Sequence, residues 1–296
     1  MSIEQFISEK REKVNNELAR ILSLDSQLDE AARYTMLGPS HRWRPIVTIA
    51  AAEMYDVPVK EILPIACAIE ILHGASIIID DSPSFDNFTL RRGRPTLHRA
   101  YSEDLAILTS FYLIDYLVES LFLSKNNLPQ QIRNKLFDYL LRTKAEMIQG
   151  EYEDIKSKGI SMSPNQILKM YEQKSGSLFG LSAVAGGIVG RTDEVELEHL
   201  ERYGRNMGTA YQILDDILDI EAQPEEIGKD VGKDKDKPNL PSTIGIDDSR
   251  KKAQELRLSA QQALKYLGKN VEILNDLVEY IALMNNKKIT SSIIKF

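Results

Sequence analysis

Apolar residues recur at helical spacing along most of the chain. In "FISEKREKVNNELARIL", Phe6, Ile7, Val14, Leu18, Ile21 and Leu22 share one broad face. "SPNQILKMYEQ" opens with Ser163 as a cap, Pro164 at the first helical position and Gln166 closing the box. The segment 105–123 is strongly apolar, the pattern of a helix buried on most sides. "IDDSRKKAQELRLSAQQALKYLG" is amphipathic, with Asp247 and Asp248 read as its cap and Gly268 as its stop. Strand signals are scarce. "SIIID" is β-branched, but it continues "EILPIACAIEILHGA", and the joint length and period favour one buried helix. No hairpin pair, repeat or Gly/Ser linker is evident. The pattern predicts an all-α protein with a single domain over 1–296, a helical bundle. The charged stretch 222–242 is expected to be a mobile loop.

Composition narrows the functions. The 296 residues are 43% hydrophobic, enough for one large core. A net charge of −7 argues against a general nucleic-acid surface. An anionic substrate would have to be met by a local cluster of cations. Cys67 is the single cysteine, which excludes an intrachain disulfide and fits a reducing, cytoplasmic setting. The start "MSIEQFISEKREKVNNELARIL" has no apolar signal core, and no run of about eighteen apolar residues is read, so no membrane insertion is expected.

Two acidic clusters interrupt apolar helical sequence. The first is Asp80, Asp81 and Asp86; the second, in "YQILDDILDIE", is Asp215, Asp216 and Asp219. At about 100° per residue, Asp215 and Asp219 lie one turn apart on one face. Pro83 should break the first helix and let Asp86 swing back toward Asp80. Any acidic pair can arise by chance among 44 acidic residues. Two clusters in apolar surroundings are poorly explained as solvated faces. Paired carboxylates of this kind suit Mg²⁺, which takes one or two per ion, keeps waters and bridges to phosphates.

Cations stand close by. "LRRGRPTLH" supplies Arg91, Arg92 and Arg94, whose forks match phosphate oxygens. "GPSHRWRP" supplies His41, Arg42 and Arg44. "YEQKSGS" places Lys174 and Ser175 in apolar sequence, where an unpaired lysine would be costly. Lys229 and Lys233 lie in the charged loop.

These segments resemble the trans-isoprenyl diphosphate synthases, the polyprenyl synthase family, over roughly residues 34–242. "DDSPSFDNFTLRRGRPT" is similar to the family's first aspartate-rich motif and "YQILDDILD" to its second. "KSGSLF" resembles its Lys-Thr-Gly segment and "GKDVGKD" its lid loop. The resemblance implies a helical fold around a central cavity, a homodimer, and an allylic diphosphate held through three Mg²⁺. It implies that Asp80, Asp86, Asp215 and Asp219 bind metal, with Asp81 and Asp216 supporting and counted among the metal residues. Arg91, Lys174, Ser175 and Lys229 match the grip on the allylic diphosphate. Arg44, His73 and Arg92, with His41, match the grip on isopentenyl diphosphate. Gln212 matches the glutamine before the second motif. Asp80, Asp86, Asp215, Lys174 and Gln212 are the implied catalytic set.

Ser76 and Ala75 precede Asp80 by about one turn, where the family sets product length. Both are small, which predicts a product of twenty carbons or more unless Phe111 or Tyr112 forms a floor. The family's Gly-Gly-Lys is Pro39, Ser40, His41 here, and Glu151 replaces a usual glutamine. A neutral histidine is a weaker diphosphate partner. Elongation with isopentenyl diphosphate is the leading reading. A class I terpene cyclase, acting without elongation, is the first alternative. A non-catalytic partner subunit is the second, disfavoured because all six aspartates are present.

Overall fold

The computed structural model describes residues 1–118, 128–221 and 237–284. Helices α1 (Ile3–Ile21), α2 (Gln27–Met36), α3 (Trp43–Glu53) and α4 (Val59–Asp80) lead into a two-residue hairpin, β1 (Leu90–Arg91) and β2 (Arg94–Pro95). There follow α5 (Leu97–Ala100), α6 (Glu103–Val118), α7 (Gln130–Lys156), α8 (Pro164–Tyr171), a π-helical turn (Glu172–Gly176), α9 (Ser177–Val189) and α10 (Glu194–Glu221). Then come α11 (Leu240–Ile244), α12 (Ile246–Leu264) and α13 (Glu272–Met284). The all-α expectation is met.

Helix α4 is apolar all round because it is surrounded. It packs on α3, α6 and α9, and Ile62, Ile65, Ile69 and Ile71 are buried. "SIIID" is its last turn, as the helical reading required. Among the described residues α4 is also the one helix long and apolar enough to cross a membrane, which corrects the expectation that no such run exists. Its composition reflects core burial: two-thirds of that window is covered by the rest of the chain. A second, smaller core joins α8, α10, α11 and α12 through Ile167, Met170, Tyr171, Ile213, Ile217 and Leu240. It lies directly beneath the second aspartate cluster.

Four local expectations change. Helix α6 is not buried on most sides: Ile107, Leu108, Phe111 and Val118 are exposed. "LRRGRP" does form a hairpin, because Arg92 and Gly93 both take positive φ (54° and 73°), the geometry of a tight two-residue turn. Asp247 and Asp248 occupy the first turn of α12, where they favour the helix dipole, but the cap position is Gly245. Within 222–242, residues 237–242 are anchored, with Lys237 and Leu240 buried and Asn239 capping α11. Lys229 and Lys233 lie outside the described residues.

Candidate active site

The first cluster is built by a helix end. α4 stops at Asp80, and the chain turns through Ser82, whose carbonyl accepts from the amides of Phe85 and Asn87. The amide of Asp86 then donates to the carbonyl of Asp80 at 3.1 Å. Asp86 therefore returns beside Asp80, as a break at Pro83 predicts. Asp81 points elsewhere. Its carboxylate accepts from Arg91 Nη2 at 2.5 Å and Nε at 3.0 Å. Burial pushes the Asp81 carboxyl up against the pull of Arg91.

Two lysines bind this cluster to α7. Lys174 Nζ lies 2.7 Å from Asp154, 2.8 Å from Glu151 and 3.7 Å from Asp80. Lys237 Nζ lies 2.6 Å from Asp86 and 2.9 Å from the same Asp154. The π-helical turn carries Lys174, and π-bulges commonly redirect functional side chains. Gly150 permits the approach of α7, since a Cβ there would sit 2.5 Å from the Lys174 amide nitrogen. Burial first, and Asp80 second, hold the Glu151 carboxyl up at about 8.

The second cluster repeats the arrangement on α10. Asp216 accepts from Gln212 Nε2 at 2.9 Å through one oxygen and from the Tyr171 hydroxyl through the other. Gln212 Oε1 in turn accepts from Ser175 Oγ at 2.7 Å. Burial holds the Asp216 carboxyl up at about 7. Arg91 lies in the field of Asp80, Asp81 and Asp215 together, so the two clusters converge on it. In each pair the middle aspartate is committed to protein partners. Asp81 and Asp216 thus have their oxygens engaged by Arg91, Gln212 and Tyr171.

Among the described residues no three acidic or histidine side chains close on one point as a ready-made metal cage. The donor set nevertheless fits Mg²⁺: carboxylate oxygens arriving from two helices, those of the first cluster balanced by lysine ammonium groups. Such a site holds a hard ion through one or two carboxylates, with water and phosphate completing the shell.

The other side of the cleft is cationic. Arg44 is half-buried, places Nη1 3.0 Å from His73 Nε2, and stacks its guanidinium over Phe179 at 4.6 Å. Burial pulls Arg44 down to about 10, and burial with Arg44 and Arg92 keeps His73 neutral. Arg92 has no ion-pair partner among the described residues, and burial lowers its pKa. Arg42 is not part of this group. It is fully engaged with Glu70 at 2.8 Å and Asn15 at 2.9 Å. His41 stacks on Trp43 (centroids 5.2 Å, 10°), and burial, then Arg92, pushes it down to about 4. A cleft of about 570 Å³ runs along His73, Asp81, Arg91 and Arg92.

Below Asp80, Ala75 is buried, and its carbonyl accepts from Ser110 Oγ at 2.9 Å. Ser76 donates back to the His73 carbonyl. Neither fills space with a large side chain. Phe111 is 68% exposed and forms no floor within this chain. Tyr112 is tied to Asp29 at 2.9 Å, beside Tyr116.

Reading the sequence missed Asp154, Lys237 and Tyr171. Asp154 sits one turn from Glu151 and Gly150 on α7, a spacing visible in "GEYED". Lys237 was hidden in a run of charges. Tyr171 was hidden among apolar core positions.

Similarity to known proteins agrees with this geometry. Residues 25–281 match the family model described as polyprenyl synthetase. The chain is 34% identical to a chloroplastic geranylgeranyl pyrophosphate synthase of Capsicum annuum, over 95% of this chain and 78% of that protein. It is 30% identical to a farnesyl diphosphate synthase of Geobacillus stearothermophilus, over 95% and 96%. A solved geranyltransferase from Helicobacter pylori, complexed with magnesium and isoprenyl diphosphate, superposes with a TM-score of 0.85 at 28% identity, covering 97% of this chain and 98% of its own. With paired aspartate clusters on two helices, an Arg-Arg-Gly hairpin between them and matches of this extent, the chain belongs to the polyprenyl synthetase family.

Proposed function

We propose that this transferase condenses an allylic prenyl diphosphate with isopentenyl diphosphate to give a longer trans-prenyl diphosphate. The observation that carries the reading is the division of charge across the cleft. On one side carboxylates outnumber the lysines that pair with them, the balance a metal–diphosphate site requires. On the other, Arg44 and Arg92 stand beside neutral His73 and share one carboxylate, Glu70, already paired with Arg42, which leaves net positive charge for a second diphosphate.

Asp80, Asp86, Asp215 and Asp219 would hold the magnesium, three ions by family resemblance, which when bound draws charge from the breaking C–O bond. Lys174 and Arg91 face the same leaving group, and cations aimed where charge develops lower the barrier. The C–O electron pair leaves with the diphosphate. The alkene of isopentenyl diphosphate, oriented by Arg44 and Arg92, supplies the pair for the new C–C bond. A proton is then lost to the departing diphosphate. Apolar residues of α4 just below Asp80, Ala75 and Ile78, would help keep water from the cation.

A product of twenty carbons or more is favoured because Ala75 and Ser76 leave the way down open. A narrow apolar gap, about the size of one water, is lined by Ile65, Ile69, Leu136, Leu140 and Leu181 farther along α4. At about 1.5 Å per residue it sits about 16–22 Å below Asp80. The exposed apolar stripe Ile107, Leu108, Phe111 and Val118 on α6 favours a homodimer. The single cysteine favours a cytoplasmic setting.

One observation favours a second reading. Neutral His41 weakens the second diphosphate site, as in a cyclase that ionises a prenyl diphosphate without elongating it. Incubation with Mg²⁺ and farnesyl or geranylgeranyl diphosphate, with and without isopentenyl diphosphate, separates the two. A longer diphosphate formed only with both substrates is the expected result. A hydrocarbon or alcohol from the allylic substrate alone would favour the cyclase.

A further inference from the structure

Tyr171 closes α8 and is 4% exposed in the smaller core. Its hydroxyl donates to Asp216 Oδ2 and accepts from the backbone amide of Leu240 at 3.0 Å. The opposite oxygen of Asp216 accepts from Gln212, which accepts from Ser175 in the π-helical turn. One continuous chain of hydrogen bonds therefore runs from Ser175, beside Lys174, through Gln212, Asp216 and Tyr171 to Leu240. Leu240 follows Lys237 by three residues, and Lys237 reaches Asp86 and Asp154. A buried tyrosine hydroxyl needs a partner, but one bond to Asp216 would satisfy it. Here it spends both donor and acceptor capacity, on two segments that lie 45 and 69 residues along the chain from it.

We propose that Tyr171 is a positioning residue of the active site: its shared hydroxyl fixes the helix face carrying Asp215 and Asp219 and, through the Leu240 amide, the placement of Lys237 against Asp86. The inference rests on the family reading of the aspartates as the metal-binding groups. It assigns a role to a residue outside both aspartate motifs. Groups that orient metal ligands typically change metal affinity 10–100-fold when removed.

Tyr171→Phe keeps the ring and removes only the hydroxyl. Calorimetric titration of inorganic pyrophosphate at a series of Mg²⁺ concentrations should show the half-saturating Mg²⁺ raised about tenfold or more. Exchange of the Leu240 amide in the metal-free protein should quicken. The effect should be non-additive with Asp216→Asn, since both act through one bond. In steady state kcat should fall while the Michaelis constant for isopentenyl diphosphate stays within about twofold. A lowered melting temperature with unchanged Mg²⁺ dependence would reduce Tyr171 to a core residue and overturn the proposal. So would unchanged Leu240 exchange. A wild-type protein that binds no pyrophosphate even with Mg²⁺ would instead overturn the family reading of the site.

Discussion

Arg91 and Arg92 are neighbours in one tight turn, yet they belong to opposite halves of the cleft. Arg91 is locked to Asp81 and sits in the field of Asp80 and Asp215. Arg92 turns, at positive φ, into the company of Arg44 and neutral His73. The first half is acid-rich even after pairing: Asp80, Asp81, Asp86 and Asp154 share three cations, Arg91, Lys174 and Lys237. The second half is net positive: Arg42, Arg44 and Arg92 share one carboxylate, Glu70. An acid-rich half can accept a diphosphate only with added cations, the part magnesium takes in the proposed function. A net positive half accepts a diphosphate directly. Under the proposed function, this difference assigns the two substrates to their sides without reference to their hydrocarbon parts.

The sharpest way to break this comparison is at Asp80. Asp80→Ala should lower turnover on the order of a thousandfold, by analogy with loss of one group stabilising developing charge. Its melting temperature should hardly move, because Lys174 keeps Glu151 and Asp154. A fully active variant refutes the metal assignment.

Next come the paired arginines. Arg91→Gln strands the buried Asp81 carboxylate and should cost about 3 kcal/mol of stability in denaturant titration. Arg92→Gln should leave stability unchanged or raise it, because it removes a half-buried charge that has no ion-pair partner among the described residues. It should raise the Michaelis constant for isopentenyl diphosphate about 10–100-fold, the worth of one charged hydrogen bond. Equal destabilisation by both variants would erase the distinction between the halves.

A smaller effect is expected at His41. His41→Lys should lower the Michaelis constant for isopentenyl diphosphate about fivefold by restoring a cation. No change would show that this corner has been put to another use.

The smallest effect concerns pH. Burial holds His41 at about 4 and His73 well below its usual value, while the unfolded chain titrates near 6.5. Between these values the unfolded chain binds protons that the folded one excludes, so this contribution is complete above about pH 6.5 and is lost as pH falls toward 4. His41→Gln should therefore lose about 2–4 °C less in melting temperature than wild type between pH 7.5 and 5. An identical loss would place His41 in water.

Much of this was legible in the sequence, and the rest was hidden for physical reasons. The helical period gave the bundle. Aspartate spacing placed Asp215 beside Asp219, and Pro83 marked the turn that returns Asp86. Spacing identifies residues that share a face but not the partners that neutralise them. Asp81 and Asp216 thus look like ligands in sequence, while Arg91, Tyr171 and Gln212 claim them in the fold. Lys237 reads as one more charge in a solvated run, because its acidic partners lie more than eighty residues away. Helix α6 reads as core because apolar composition does not say whether the covering surface belongs to the same chain. The hairpin at Arg92 was missed because two-residue strands are too short for alternation to show.

Calorimetric titration of isopentenyl diphosphate, set beside that of a non-hydrolysable allylic thiolodiphosphate and each run in EDTA and in Mg²⁺, tests the division of the cleft most directly. The account predicts that isopentenyl diphosphate binds in EDTA and loses that binding in Arg92→Gln, while the allylic analogue binds only with Mg²⁺. Isopentenyl diphosphate that fails to bind under either condition, or an allylic analogue that binds equally well without metal, would contradict it.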